Sequence, residues 1–312
     1  MRVGVVTDAT CDLPYEFLRA HDIGILPVTI RLGDERFDDT RDPRTTRRFY
    51  AEQLAASDQE AETQAYGVEQ LRALLLRRVV PFYDYVFCVT ISATRSSLFD
   101  SAAKAAFAIL ADEQSAPSGR GPFVLRVLDS RSMFCGTGVL VAEAAQQARA
   151  GMTPFELRRH LDALRDQLCA YMVPGDLYYL HRRAQKKGER TVDWFSYALG
   201  TVLDLRPVIL GYRGETQTVA RVRRYGQAVA RMLAHVARQI DAGEVSTRHV
   251  CVSYGGELAE LTAMPGYAQL REAAARRGIE LLPSMMSATA AVNVGAGCVA
   301  VAYCGALRPF GE

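Results

Sequence analysis

Short, almost continuously apolar runs alternate with segments of helical periodicity along the first half of the chain. The predicted strands of this half are Val3–Thr7, Ile25–Leu32, Tyr85–Ser92 and Phe123–Leu128. Predicted helices begin near Asp12, Thr45, Gly67, Ser96 and Gly136. Strands that are apolar on both faces and alternate with helices are typical of a mostly parallel sheet with helices on both faces.

The second half has a less regular pattern. Thr153 is a good cap for a helix that runs towards Gln167, and Pro207–Tyr212 followed by Glu215–Val222 has the pattern of a β-hairpin. The other predicted helices are Asp176–Arg183, Asp193–Leu203, Arg224–Asp241 and Ala268–Arg277. The other predicted strands are His249–Tyr254, Ile279–Leu282 and Cys298–Tyr303.

A chain of 312 residues is long enough for two domains. We predict an N-terminal α/β domain over residues 1–152, which contains the mostly parallel sheet. A smaller C-terminal α/β domain with a mixed sheet is predicted over residues 153–312. Apolar residues make up 49% of the chain, which is enough to bury a sizeable core.

Composition argues against several classes of function. Charged residues make up 23% and the formal net charge is +2, whereas nucleic-acid binders usually carry a concentrated basic field. No apolar run reaches the roughly 18 residues of a membrane-spanning helix, and the N-terminus lacks a signal-peptide pattern, so we expect a cytoplasmic protein. Seven cysteines without C-x-x-C spacing and five histidines without H-E-x-x-H spacing favour reduced thiols and no metal or other cofactor.

One candidate anion site follows the strand that begins at Tyr85. The segment Ser92–Ser97 lies between this strand and a predicted helix, and ligands in open α/β sheets gather beyond the carboxyl ends of strands. Free N–H groups at the start of the helix and serine hydroxyls would favour an anion. An ordinary serine cap of the helix is the alternative. The segment lacks the glycines and lysine of a nucleotide-binding P-loop.

Two further segments are candidates for a site. Asp8 follows the first predicted strand, and we expect its carboxylate to order the adjoining loop by accepting backbone hydrogen bonds. A catalytic role for this carboxylate is the alternative. In Asn293–Gly297, Gly295 and Gly297 allow positive φ and close approach to a ligand or to another loop, or simply a tight turn before the last strand.

Several segments, in their order along the chain, resemble motifs of the DegV family. Thr7–Pro14 is similar to the family's D-S-T-A-D-L-P, and Val127–Ser130 followed by Gly136 and Gly138 resembles its V-I-D-S and glycine pair. Leu199–Gly214 resembles L-G-x-L-L-x-I-K-P-I with its following glycine. The motifs extend over nearly the whole chain and are specific in combination.

The resemblance implies a two-domain protein that binds one long-chain fatty acid in an apolar tunnel, with the carboxylate at the interdomain cleft. Such proteins are binding proteins and not enzymes, and some present the carboxylate to a separate fatty-acid kinase. The implied partners are therefore a fatty acid and such a kinase, with no nucleic acid. Each buried CH₂ contributes roughly 0.8 kcal/mol, so an acyl chain supplies ample driving force.

The positions that match the family's head-group motifs are Thr63, Gln64, Ser92, Ala93, Arg95, Ser96, Asn293 and Gly295. Glu62 precedes the first of them and would place a like charge near a bound carboxylate unless it points away. Ala93 replaces a family serine, and Arg95 adds a cation that would offset the lost donor. Asn293 stands where the family has histidine, so it can form hydrogen bonds but cannot carry a proton.

Apolar residues of the second half are candidate tunnel walls, with plain core as the alternative for each. These residues are Met172, Val173, Leu177, Tyr178, Leu180, Phe195, Leu199, Leu203, Met285 and Met286. The basic stretch Arg182–Arg190 is either a solvated loop or a docking surface for an acidic partner or, transiently, for an anionic membrane surface.

Two other functions fit the same residues. A DegV-like module with Glu62, Ala93 and Asn293 at its mouth would bind a different amphipathic anion. An enzyme would use Asp8, Asp129 or a cysteine. The pKa of Cys11 is expected to be raised by the nearby aspartates, which disfavours a thiolate nucleophile.

Overall fold

The computed structural model describes residues 1–52, 61–111, 123–177 and 204–311. The strands are β1 Val3–Asp8, β2 Gly24–Leu26, β3 Val28–Leu32, β4 Glu35–Asp39, β5 Ala61–Ala65, β6 Tyr85–Thr90, β7 Val124–Asp129, β8 Leu168–Val173, β9 Leu205–Tyr212, β10 Glu215–Arg223, β11 His249–Tyr254, β12 Glu280–Met285 and β13 Val299–Cys304. The helices are α1 Tyr15–Ala20, α2 Pro43–Ala51, α3 Val68–Arg78, α4 Leu98–Ala111, α5 Cys135–Arg149, α6 Pro154–Arg165, α7 Tyr225–Asp241, α8 Leu258–Ala263, α9 Tyr267–Arg277 and α10 Ala288–Val294. A short 3₁₀ turn occupies Ala9–Cys11.

The N-terminal half forms a parallel sheet of order β2-β1-β6-β7. Val6 and Val86 pack with α3 and α4 on one face, whereas Val5 and Phe87 pack with α5 on the other. Because successive strand residues point to opposite faces, a strand covered on both faces is apolar at nearly every position. The predicted parallel sheet with helices on both faces is confirmed.

A small antiparallel sheet of order β4-β3-β5 lies beside it. The single strand predicted over Ile25–Leu32 is wrong, because the chain passes at Pro27 from β2 in the parallel sheet to β3 in the antiparallel one. Proline has no N–H to donate, so it interrupts the ladder. The prediction also lacks β4 and β5, whose residues are largely polar.

The C-terminal half forms a mixed sheet of order β10-β9-β8-β13-β11-β12, in which β11 and β12 are parallel and the other pairs are antiparallel. The predicted hairpin is confirmed as β9 and β10. Among the described residues this sheet has six strands against four in the parallel sheet. The predicted mixed sheet of the C-terminal half is therefore confirmed. Helices α7 and α9 cover one face of the sheet.

Helix α5 packs between the two large sheets. Every residue from Cys135 to Ala145 is buried, and its side chains share one core with the parallel sheet, the mixed sheet and α6. A helix that is apolar or small all round is typical of such a central position. The start of α5 therefore lies deep between the two halves of the molecule.

Helix α10 attaches the small antiparallel sheet to the C-terminal half. Ala288 and Ala291 pack against Ile30 and Phe49. The sequence prediction lacks this helix and α8, because both are short.

Some of the predictions made from the sequence are not tested by the described residues. The predicted helices Asp176–Arg183 and Asp193–Leu203 fall almost wholly outside the described residues, and the boundary between residues 152 and 153 stays a prediction. None of the helices in the described part of the chain is both long and apolar enough to cross a membrane.

Candidate functional site

The Ser92–Ser96 loop, which follows β6, is held by the ends of the neighbouring strands. The N–H of Ile91 donates to Asp8 Oδ2 at 2.6 Å, and the N–H of Ala93 donates to Asp129 Oδ1 at 3.1 Å. The N–H of Ser92 donates to the carbonyl oxygen of Ser132 at 2.8 Å. Three consecutive backbone donors are thereby committed to ordering the loop.

The other hydrogen bonds of the loop determine which of its groups could bind an anion. The N–H groups of Arg95 and Ser96 donate to the Ser92 carbonyl, and the N–H of Leu98 donates to Ser96 Oγ at 3.2 Å. The N–H groups of Arg95, Ser96 and Leu98 are therefore not available to an anion. Ser92 Oγ and Thr94 Oγ1 lie 3.0 Å apart. A hydroxyl that accepts one hydrogen bond can still donate another, so hydroxyls and the Arg95 guanidinium are the groups suited to an anion.

The turn of the β9–β10 hairpin covers this loop from the C-terminal half. The N–H of Gly214 donates to the Arg131 carbonyl at 2.8 Å, and Arg95 Nη2 donates to Thr216 Oγ1 at 3.0 Å. Gly214 has a φ of +89°, and a β-carbon added there would lie 4.0 Å from Ser92 Oγ. The turn thus approaches Ser92 closely in a conformation that glycine adopts readily. Ser92, Arg95 and the hairpin turn therefore meet where the two halves of the molecule are in contact.

Thr63 and Glu62 point to opposite faces of the small sheet. Thr63 pairs with the buried Ile30 across β3 and β5, and it lies on the face that packs on α10. Glu62 pairs with Arg31 on the outer face, where their side chains form an ion pair of 2.7 Å. Glu62 therefore points away from Thr63, and the like charge does not face a ligand on the Thr63 side. Gln64 is exposed on the same outer face as Glu62.

Asn293 is half-buried near the end of α10, and its Nδ2 donates to the Thr289 carbonyl at 2.7 Å. Gly295 and Gly297 have φ values of +83° and +74°, as their residue type suggests. A β-carbon added at Gly175 would lie 2.6 Å from the Ala296 carbonyl oxygen. Two loops therefore meet backbone to backbone here, and the glycines permit that approach.

Asp8 is completely buried and serves the loops around it. Its Oδ1 accepts hydrogen bonds from the N–H and the hydroxyl of Thr10, while its Oδ2 accepts from Ile91. Burial raises the pKa of this carboxyl, and the hydrogen bonds from Thr10 and Ile91 oppose the rise. Both oxygens are thus occupied within the protein.

Burial is also the main cause of the raised pKa of Cys11, which reaches about 12; Asp8 and Asp12 add smaller contributions. The predicted rise in the pKa of Cys11 is therefore confirmed, although the aspartates, which are its predicted cause, contribute less than burial. All seven cysteines are free and buried. Among the described residues, no group of three or more His, Cys, Asp or Glu side chains could hold a metal ion.

A buried ion pair at the interface between the halves is missing from the sequence prediction. Arg41 Nη1 lies 3.6 Å from Asp12 Oδ1, and the same guanidinium donates to Leu13 O, Ser284 Oγ and Met285 O. Asp12 also accepts from the N–H of Ser287 at 2.8 Å. The sequence suggests only a helix cap at Asp12, because the partners lie about 30 and 270 residues away along the chain and local patterns do not report them.

The candidate tunnel residues divide between different cores. Met172 and Met286 are buried in the core between α5 and the mixed sheet. Val173 lies on the opposite face of β8, with α7. Leu177 and Met285 are half-buried, and the remaining candidates, Tyr178 to Leu203, fall outside the described residues, as does the basic stretch Arg182–Arg190.

Comparisons with known proteins cover nearly the whole chain. The model of the DegV family, a family described as uncharacterised, matches residues 2–306. A DegV domain-containing protein of Xanthomonas axonopodis pv. citri is 43% identical over 306 residues, which are 97% of each chain.

Solved structures show the same fold. A DegV lipid binding protein of Thermotoga maritima superposes with a TM-score of 0.77 at 21% identity, covering 99% of this chain and 100% of that one. A stearic acid-binding protein of Eubacterium ventriosum has a TM-score of 0.75 at 20% identity, with coverages of 97% and 98%. With the family match extending over residues 2–306, the protein belongs to the DegV family.

Proposed function

We propose that the protein binds one long-chain fatty acid without covalent chemistry, with the carboxylate in the cleft between the Ser92–Ser96 loop and the β9–β10 hairpin. The acyl chain occupies an apolar tunnel. The observation that carries this proposal is the loop itself: backbone N–H groups of the loop order it, and its hydroxyls and one guanidinium lie where it contacts the β9–β10 hairpin.

The chemistry of the cleft suits a carboxylate. Ser92 and Ser96 supply hydroxyl donors, and Arg95 supplies a positive charge that strengthens hydrogen bonds to an anion. Thr63, on the inner face of the small sheet, is a further donor, and the ion pair with Arg31 keeps the Glu62 charge on the outer face. The acyl chain supplies most of the affinity through burial, and the head group sets its register.

Proteins of the same fold support this ligand class. The Thermotoga maritima protein is described as lipid binding and the Eubacterium ventriosum protein as binding stearic acid. A shared fold does not by itself transfer a ligand, so the proposal rests on the fold together with the residues of the cleft.

Binding is favoured over catalysis. Asp8, the carboxylate considered for catalysis, is buried with both oxygens accepting hydrogen bonds. A general base must reach its substrate, and this one does not. Burial raises the pKa of Cys11, so its reactive thiolate form is disfavoured.

We further propose that the bound carboxylate is presented to a separate fatty-acid kinase. Arg221, Arg223 and Arg224 are exposed at the end of β10, the strand that also carries Thr216. This basic group on an edge strand of the mixed sheet suits an acidic partner surface and would also allow transient contact with an anionic membrane.

Titration of delipidated protein with palmitate and with its methyl ester tests the head-group assignment. We expect saturable binding of palmitate at one site per chain and much weaker binding of the uncharged ester. Equal binding of both compounds would mean that the cleft does not recognise a carboxylate.

A second candidate is an amphipathic anion with a hydroxyl-bearing head group. Asn293 Nδ2 donates to the Thr289 carbonyl, so the amide oxygen of Asn293 is its better placed group and would accept a hydrogen bond from the ligand. Tighter binding of a monoacyl glycerophosphate than of palmitate would favour this candidate.

A further inference from the structure

Ser132 has a buried hydroxyl without a partner. Its Oγ makes no hydrogen bond to any described residue, and only 6% of the residue is exposed. Buried polar groups are normally paired, because an unpaired one loses its hydrogen bonds to water without replacement. A buried orphan hydroxyl in a binding protein is therefore a candidate for a ligand contact.

Ser130, two residues earlier in the same loop, has a hydroxyl with a structural role. Its Oγ lies 3.1 Å from Thr137 Oγ1, accepts the N–H of Ser132 at 3.1 Å and donates to the Ser132 carbonyl at 3.2 Å. The hydroxyl of Ser130 is thus fully used by the loop that follows β7. The loop is ordered without any contribution from the hydroxyl of Ser132.

Ser132 lies directly beside the proposed head-group loop. Its carbonyl oxygen accepts the N–H of Ser92 at 2.8 Å, so the two serines are neighbours at the ends of adjacent strands. Its hydroxyl is directed at Gly136 in the first turn of α5. A β-carbon added at Gly136 would overlap Ser132 Oγ and would lie 3.1 Å from the β-carbon of Ala170.

The start of α5 is itself favourable for an anion. The helix has 15 residues, and its N-cap residue, Phe134, makes no side-chain cap hydrogen bond. Phe134 has a φ of +54°, a backbone conformation that residues other than glycine and asparagine rarely adopt. The positive end of the helix dipole and the Ser132 hydroxyl therefore converge on one small buried region next to Ser92.

We infer that Ser132 is a further head-group residue, whose hydroxyl donates to the ligand carboxylate at the uncapped start of α5. This inference rests on the proposed function, because it assigns a role within the same site. Ser92 and Ser96 hold the carboxylate from the side of the loop, and Ser132 holds it from the side of α5.

The test compares Ser132→Ala with Ser130→Ala in full-length, delipidated protein, using palmitate affinity and thermal unfolding of the ligand-free form. Removing the orphan hydroxyl of Ser132 should leave the ligand-free Tm unchanged or raise it, while weakening palmitate binding about tenfold. Ser130→Ala should lower the Tm, because it breaks bonds within the loop, and should leave the affinity of the folded protein close to that of the parent.

Each other outcome overturns the inference in a distinguishable way. Parent-like palmitate affinity of Ser132→Ala would remove Ser132 from the site and leave the proposed function intact. A Tm loss comparable to that of Ser130→Ala, with weaker binding, would assign Ser132 a structural role. Absence of palmitate binding by the parent would refute the proposed function and this inference together.

Discussion

The guanidinium of Arg95 donates a hydrogen bond of 3.0 Å to the hydroxyl of Thr216. Arg95 belongs to the loop after β6 in the parallel sheet, whereas Thr216 lies on β10 of the mixed sheet. The contact therefore joins the two halves of the molecule at the mouth of the proposed cleft. Any ligand held there depends on how the hairpin and the loop sit against each other.

Thr216→Val removes the acceptor of this bond while keeping the shape of the side chain. We expect the change to destabilise the ligand-bound form by about 1 kcal/mol, which corresponds to a several-fold weaker palmitate affinity. Thr218→Val, two residues further along the same strand and exposed, is the matched control. Isothermal titration calorimetry with palmitate measures the affinity of both variants. Equal affinities of Thr216→Val and Thr218→Val would contradict the role given to Arg95 and Thr216.

The neighbours Thr63 and Glu62 provide a second matched pair, because they point to opposite faces of β5. We predict that Thr63→Val weakens palmitate binding about tenfold through loss of a hydroxyl donor to a charged group. Glu62→Gln should leave binding within twofold of the parent, since its partner is Arg31 on the outer face. Tighter binding by Glu62→Gln would show that the Glu62 charge does reach the ligand.

The sequence predicts the parallel sheet well because its signals are local. Strands such as Tyr85–Thr90 are apolar at nearly every position, and α6 carries a capping box at Thr153 and Glu156. It predicts β3 less well, since Ile25–Leu32 is mostly apolar and only Pro27 marks the change of sheet. Strand β5 is missing from the prediction because its outer face carries Glu62 and Gln64 and its inner face only small residues.

For the site, too, the sequence predicts the local features but not the contacts that depend on tertiary packing. The Ser92–Ser96 loop is recognisable from its position after a strand and from its hydroxyls. Its hydrogen-bond partners are not, because Asp8 and Asp129 reach the loop from strands that are distant in sequence. The Arg41–Asp12 pair and the orphan hydroxyl of Ser132 are likewise products of tertiary packing, which local periodicity does not encode.

The buried pair of Arg41 and Asp12 should be important for stability. Arg41→Met leaves the Asp12 carboxylate without its counter-charge and removes donors to Leu13 and Met285. We expect a loss of about 3–5 kcal/mol in the free energy of unfolding. Arg48→Met, which breaks exposed ion pairs with Glu35 and Glu52, should reduce the free energy of unfolding far less. Urea unfolding of both variants measures the difference, and similar losses would contradict the account.

Asp12 should also make stability depend on pH in a defined direction. Burial raises the pKa of Asp12 to about 6, with Arg41 opposing the rise, whereas the unfolded chain has a pKa of about 4. Between these values the folded state binds more protons, so the contribution of Asp12 to stability is fully present below about pH 4 and falls as the pH rises to about 6.

The variant Asp12→Asn isolates this contribution, because asparagine does not titrate and keeps an acceptor for Ser287. The unfolding free energy of the parent minus that of the variant should fall by about 2–3 kcal/mol between pH 4 and pH 7. Urea titrations at several pH values provide this difference. A difference that rises with pH would mean that the pKa of Asp12 is lowered in the fold.

Native mass spectrometry of freshly purified protein, followed by solvent extraction and identification of the bound molecule, would show whether the protein carries a fatty acid. We predict one long-chain fatty acid per chain, which is retained by the parent and lost more readily from Ser92→Ala and Thr63→Val. A protein that carries no lipid and takes up no palmitate after delipidation would contradict this prediction. So would a bound molecule without a carboxylate.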